Sequence, residues 1–551
     1  MRIVLVLLLL WTALVPWATA QCPSTGQAIT SYTHVVSCAD LQLNVAADNV
    51  TLVIEGATGT IDVSSTDAGT VLRIVDCTVT GNLTLRGAHS IADVVRSTVG
   101  GSHVLVLSGT RNVTLAVTDS TLHGDVVASV VIAEVVVGVS ITVMNSTLSA
   151  TRYAASVVGS TVRDVVTIVR QSRFTLDDSN ATGGGISVRA TTVGVIALTA
   201  STLANAAVTI TTSTINSKAA TGRSVGIVGT ANFLPGVVTS WTNVTLAVNT
   251  VNVTSVASDY VGMFGAAGCV NWANVTVSCV LVNVSSAAGR YVGIVGAGGG
   301  GLGTAWRQVT LSVVNFNVNS TAKEYVGILG VRCNESDVLW SNVALSAATS
   351  RVTSAVESQV GILGCGSRQG GVVSWSSVTI SVRTVLVEST AQANFVAICG
   401  VGSGISALTW TDVTVSGDSA NVTSNAAEYV AIFGAASYQS RLAWTNVTVR
   451  AFLSSILSNS SNYVGILGAG TGGGLFWTNV TASAQLTTVS SQAARYVGII
   501  GSGSSGLVNW ANVSVDAVTS EILSTSADFL GILGVGRGGA VSWVNVAATA
   551  S

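Results

Sequence analysis

Carboxylates beside an arginine are the equipment of general acid–base chemistry, or of a calcium clamp with a charged partner. Asp76, Arg96 and Asp119 are the nearest approach to such a set in this chain. Each opens a short phrase: Asp76-Cys77-Thr78-Val79, Arg96-Ser97-Thr98-Val99, Asp119-Ser120-Thr121-Leu122, followed by Asn145-Ser146-Thr147-Leu148 and Gln171-Ser172-Arg173-Phe174. The phrase centres 77, 97, 120, 146 and 172 are separated by 20, 23, 26 and 26 residues. Coils of that size suit a right-handed parallel β-helix, in which each coil adds one strand to each of three sheets. Asp76, Arg96, Asp119, Asn145 and Gln171 would then form a polar column on one sheet, facing solvent. Solvated charge pairing explains that column more simply than catalysis, because ionic ladders perturb pKa values without doing chemistry. The four His (34, 89, 103, 123) lie in this part, none lies beyond residue 205, and there is no CxxC. No zinc site and no cofactor is expected, and no enzyme activity.

A second chemistry is aromatic. Trp recurs at Trp241, Trp272, Trp306, Trp340, Trp375, Trp410, Trp444, Trp477, Trp510 and Trp543, each opening a phrase such as Trp241-Thr242-Asn243-Val244-Thr245-Leu246. Exposed, such a column is a strip for carbohydrate or a protein partner. Turned inward at a corner, it stacks and closes the core, with pair terms of about 0.5–1.5 kcal/mol. The inward reading is preferred, because aromatic ladders stabilise stacked coils. A strict period of two instead places Trp241, Asn243 and Thr245 on one face and Val244 and Leu246 on the other.

Spacing defines the elements that carry these residues. From nearly every Trp to the Val of the following Val-Gly pair is 20 residues, as in 241 to 261, 306 to 326 and 477 to 497; 375 to 396 is 21. Length varies only between the closing Gly and the next Trp, which marks a surface turn, since packed strands do not tolerate insertions. Three strands per ~34-residue repeat make one triangular coil. The third strand carries Gly at its centre, replaced only by Ala397 and Ala431, which suggests close packing across that face. The organisation expected is an N-terminal cap with irregular coils over 21–205 and a regular solenoid over 206–551. About seventeen coils at ~4.8 Å each give a rod of roughly 80 Å.

The composition agrees with an all-β chain. Only 9% of residues are charged, the net charge is −2, and Gly numbers 58 against 3 Pro. Disordered chains are charged and poor in β-branched residues, and nucleic-acid binding needs a basic surface; neither fits. Val126 to Val143 is apolar but interrupted by Glu134, and reads as buried strands. Residues 1–20 read as a secretory signal, with Arg2, an apolar run and Ala18-Thr19-Ala20 before the cleavage point. A membrane link would come only from a missing C-terminal segment or a partner.

Export brings two covalent modifications into play. Sixteen Asn-x-Ser/Thr sequons occur, and the glycosylation candidates are Asn49, Asn82, Asn112, Asn145, Asn243, Asn274, Asn446, Asn479 and Asn512. Cys22 and Cys38 sit close enough in sequence to clip the cap. Cys333 and Cys365, spaced by about one repeat, are the other disulfide candidates. Cys399 falls in the apolar slot of Leu329 and Leu363, where a buried thiol is as natural as a bridge.

The Val-Gly-Ile-Leu-Gly phrase with downstream Asn-Val-Thr resembles the Gly-Leu-type repeats of bacterial β-solenoid adhesins. Together with the signal peptide, the Val/Ser/Thr-rich coils and the sequons, it is similar in style to dispersed-gene-family and membrane-associated surface proteins of kinetoplastid protists. That resemblance implies a large surface glycoprotein with a pectin-lyase-like β-helix and a role in adhesion, and carries over no catalytic residue. The function expected is a secreted or cell-surface scaffold contacting a host or matrix protein or glycan. Its rivals are a polysaccharide lyase or glycoside hydrolase on the same fold, and a passive coat protein.

Overall fold

A computed structural model describes residues 22–24, residues 26–176 with four gaps of two or three residues, and 192–197. From 202 onward it describes the strands of every coil, but not 218–223, 232–238 or the short turns between strands. The signal segment and the variable turns before each Trp therefore lie outside the described residues. What is described is all strand: 41 strands join in one continuous sheet, every pairing is parallel, and no helix occurs among them. This is a parallel β-solenoid. Val126 to Val143 falls in strands Thr121–Val131 and Val135–Met144.

Two bends recur in each coil from Asn49 to Thr519, and both rest on a residue with positive φ. The first bend is at Asn49, Gly69, His89, Asn112, Gly138, Asp164 and Asn205 in seven coils, then at ten further positions from Asn243 to Asn545. Seven and ten make seventeen levels. The second bend runs through Ser37, Gly56, Asp76, Arg96, Asp119, Asn145 and Gln171, then Thr212, Thr250 and on to Thr519. Asn and Asp tolerate the left-handed region better than other side chains bearing Cβ, which explains their frequency at both bends.

The first bend corrects the period-two expectation. In strand Thr239–Ser255, Asn243 has φ 56°. A left-handed residue rotates the chain, so Trp241 and Val244 both point inward while Asn243 and Thr245 stay exposed. The second bend corrects another expectation: Asp76, Arg96, Asp119, Asn145 and Gln171 stand at a corner, not along a sheet. The same bends let the separate first and second strands expected from sequence run as one bent strand of 17 residues.

The core is a set of columns. Val244, Val275, Val309, Val343, Val378 and Val413 stack coil on coil, as do Val261, Val292, Val326 and Val360. All are at most 3% exposed. Each such side chain contributes about 1.5–3 kcal/mol by burial. The third-strand glycines are packed differently from expectation. A Cβ on Gly293 would lie 1.9 Å from the carbonyl oxygen of Gly327 in the next coil, and one on Gly465 2.2 Å from that of Gly498. The close approach is therefore along the stack, from coil to coil, rather than across the core. Ala397 and Ala431 fall in Val372–Gly402 and Ala407–Ser437, strands that run unbroken for 31 residues.

Candidate functional site

The charged N-terminal residues are paired with one another. Arg96 donates from Nε and Nη2 to the two carboxylate oxygens of Asp76, both at 2.7 Å, and Asn145 Nδ2 donates to Asp119 Oδ1 at 2.7 Å. The guanidinium holds the Asp76 carboxyl below the usual carboxylate range, and Asp76 raises Arg96 in return. Both side chains are about half exposed. This is a solvated bidentate pair, and its carboxylate faces its own arginine.

One arrangement was not singled out from sequence. Arg73 Nε lies 3.3 Å from Asp93 Oδ2, and His34 Nε2 lies 3.1 Å from Glu55 Oε2, all four on the coils that begin the rod. Burial pushes the Asp93 carboxyl up, with Arg73 pulling it the other way. The available signal was the local coil period: Arg73 and Asp93 are 20 residues apart and directly opposite in register. No group of three or more His, Cys, Asp or Glu able to hold a metal ion occurs among the described residues.

The Trp column is internal. Neighbouring indoles stack with centroids between 4.5 and 5.4 Å apart and planes within 17°. From Trp241 to Trp510 each is at most 2% exposed, whereas Trp543, on the last described coil, is 46% exposed. The indole N–H groups of Trp340, Trp375, Trp477 and Trp510 find no acceptor among the described residues. The stack therefore offsets a desolvation cost of about 1–3 kcal/mol for each such donor. A continuous Trp strip on the surface is ruled out by this burial. The Tyr260, Tyr291, Tyr325, Gln359 and Phe395 positions also form one register column; their side chains lie outside the described residues.

The sequon asparagines serve the same architecture. Asn274 Nδ2 donates to Asn243 Oδ1 at 2.9 Å, Asn479 to Asn446 at 3.0 Å and Asn512 to Asn479 at 3.0 Å. Asn243 and Asn446 donate likewise to Asn205 and Asp412, and Asn112 Nδ2 lies 3.3 Å from His89 Nδ1. Asn49 and Asn145 are bend residues too. Nδ2 is the atom a glycan would occupy, and adjacent rungs lie only ~4.8 Å apart, so a glycan displaces a rung and crowds its neighbours. The sequon spacing has a structural origin here: Asn at the bend, an apolar residue inward, a hydroxyl outward. Asn82 is exposed at the third corner, where its Oδ1 accepts from His103 N at 2.9 Å.

The cysteines separate into bridged and buried. Cys22 and Cys38 form a disulfide across 16 residues. Cys333 stands opposite Ser367, and Cys365 opposite Val331, so the expected bridge between Cys333 and Cys365 is two residues out of register. Cys399 is fully buried opposite Leu363, in the slot read from sequence. Burial raises the thiols of Cys77 and Cys279, which disfavours the thiolate form.

What remains repetitive and exposed is a face of hydroxyls between the two bends. One column reads Thr245, Thr276, Thr310, Ala344, Thr379, Thr414, Thr448, Thr481 and Ser514. Two residues on, the parallel column has Ser278, Ser312, Ser346, Ser381, Ser416 and Ser483, with Arg450 and Asp516 in register. These side chains are exposed or half-buried. They form a hydrogen-bonding grid with about 4.8 Å between coils and roughly 6.7 Å along the strand. Sequence reasoning had these residues pointing outward but did not single them out; the signal was the Thr-x-Ser alternation after each bend. No family model, curated protein or solved structure matches this chain.

Proposed function

We propose that the protein is a secreted or cell-surface scaffold that engages an extended partner, a matrix or host protein or a glycan, through its hydroxyl face. The observation that carries this reading is the repetition of that face from coil to coil. The coils of Thr276, Thr310, Thr379, Thr414 and Thr481 each offer a Thr and a Ser hydroxyl at the same spacing, while Ala344 and Arg450 each replace one hydroxyl. A long partner then gains many individually weak contacts at once, and effective concentration multiplies them. The similarity in repeat style to kinetoplastid surface proteins supports the same placement. Glycans, on this reading, sit where the amide nitrogen is not a rung of the bend ladder, as at Asn82 and Asn421.

The test is binding of the mature chain to arrayed glycans and matrix proteins. Thr276, Thr310, Thr379 and Thr414 are then replaced together by Val, which keeps β-branching and shape while removing the hydroxyls. Binding is expected to fall steeply with the fold intact. Unchanged binding would sink the hydroxyl-face reading, and cleavage of a uronic-acid polymer by the pure protein would replace it with a carbohydrate-active enzyme.

A further inference from the structure

The second bend changes character in two coils near the end of the described chain. Elsewhere it is held by polar residues or glycine, as at Thr250, Asn315, Thr349, Thr384 and Ser419, except at Leu281, which stands singly with φ 53° and 49% exposure. At Leu453 and Leu486 a bulky side chain takes a left-handed backbone, with φ 47° and 51°. Neither burial nor turn preference explains that choice: Leu453 is 50% and Leu486 44% exposed, beside Phe452 at 38% and Val518 at 36%. These four residues fall on three successive coils, because Phe452, Gln485 and Val518 are in direct register. A conformationally costly exposed leucine repeated on adjacent coils is a local outlier of the kind that marks function, and an apolar cluster on a polar rod marks an interface.

The charges beside the patch say what covers it. In the serine column, Arg450, Ser483 and Asp516 occupy the same three coils in the same register. Arg450 has no ion-pair partner among the described residues, and the Asp516 carboxylate accepts from the Thr549 hydroxyl. The patch therefore has a positive end, a neutral middle and a negative end. Rotation by a half-turn about an axis along the middle strand, lying in the interface, exchanges the outer coils and keeps each column opposite itself. It sets Arg450 against Asp516 of the second copy, twice, with Leu486 meeting its own equivalent and Phe452 meeting Val518. We propose that this corner is the contact of an antiparallel two-fold dimer of the chain. A symmetric interface must be self-complementary, and the charge order along these three coils is.

Sedimentation equilibrium of the mature chain, with and without substitutions, decides the matter. Wild type is expected to dimerise. L453N together with L486N should leave monomer, and cannot do so by unfolding the coil, because Asn is better suited to this bend and stands there already at Asn315. R450D and D516R should each weaken the dimer about tenfold or more, and R450D/D516R together should restore it. Wild type that stays monomeric at the highest attainable concentration, or a double charge swap that fails to restore what the single changes remove, overturns the proposal.

Discussion

The coils before residue 205 and the array after it differ in almost every visible respect. The first set repeats at 20 to 26 residues as far as Gln171, before steps of 41 and 38 residues from Asp164 to Asn205 to Asn243, and a run of buried serines lies beneath its second bend; ion pairs occur in both sets. The second repeats at 31 to 35 and carries stacked indoles and amide rungs. Yet both hang from the same two bends, in unbroken register through Ala204, which pairs back to Arg163 and forward to Thr242. The extra length is added away from the bends, so the arms between them stay constant. What a β-solenoid must preserve is the backbone reversal at each corner and the parity of the columns. The chemistry filling a column is free to change from one segment to the next.

The buried hydroxyl slot shows the point. Ser97, Ser120, Ser146 and Ser172 each accept a backbone N–H from the coil before and donate to the carbonyl two residues back. In the array the same slot holds Val251, Val282 and Phe316, returns to hydroxyl at Ser350, holds Val385 and Ala420, and is hydroxyl again at Ser454, where Oγ accepts from Ala420 N at 3.2 Å. A polar group satisfied by both neighbours and an apolar group filling the corner are alternative solutions to one space.

The two regions should differ most in their response to loss of the Trp stack. Trp410→Ala is expected to cost about 3–5 kcal/mol locally. In a quasi-one-dimensional array the loss should spread to adjacent coils and spare the N-terminal ones. Amide hydrogen exchange resolved along the chain checks this; equal loss of protection in coils before residue 170 would show that the two regions fold as one unit. Cys22→Ser with Cys38→Ser should do the reverse, removing about 3 kcal/mol from the first coils while the Trp region keeps its melting transition.

Smaller effects sharpen the likeness. Ser120→Ala and Ser454→Ala should each cost about 1–3 kcal/mol by orphaning a buried N–H, and the two should agree, measured by denaturant midpoints. A large disparity would mean that the shared slot is a coincidence of register. The smallest effect concerns Asp76. Its folded pKa is depressed, so its contribution is present above the unfolded carboxylate value and disappears as pH falls through the folded one. Asp76→Asn should flatten only that acidic limb of the stability curve, and only slightly, because the pair is solvated.

Much of this was legible in the chain. The constant 20-residue arm and the phrase centres near 77, 97 and 120 set coil length and register, because parallel stacking forces equivalent residues into columns. The inward valines and the slot of Cys399 followed from the same counting. Direction at the corners did not. Whether Trp241 faces in or out depends on one left-handed residue, Asn243, whose φ is a local backbone choice invisible to periodicity. Cys333 and Cys365 show the same limit: near-repeat spacing brought them to adjacent coils, but only the register put them two residues apart. The sequence by itself determined what stacks on what, since that is arithmetic on repeat length. The tertiary structure decided what faces solvent, since that turns on the sign of φ at one or two residues per coil.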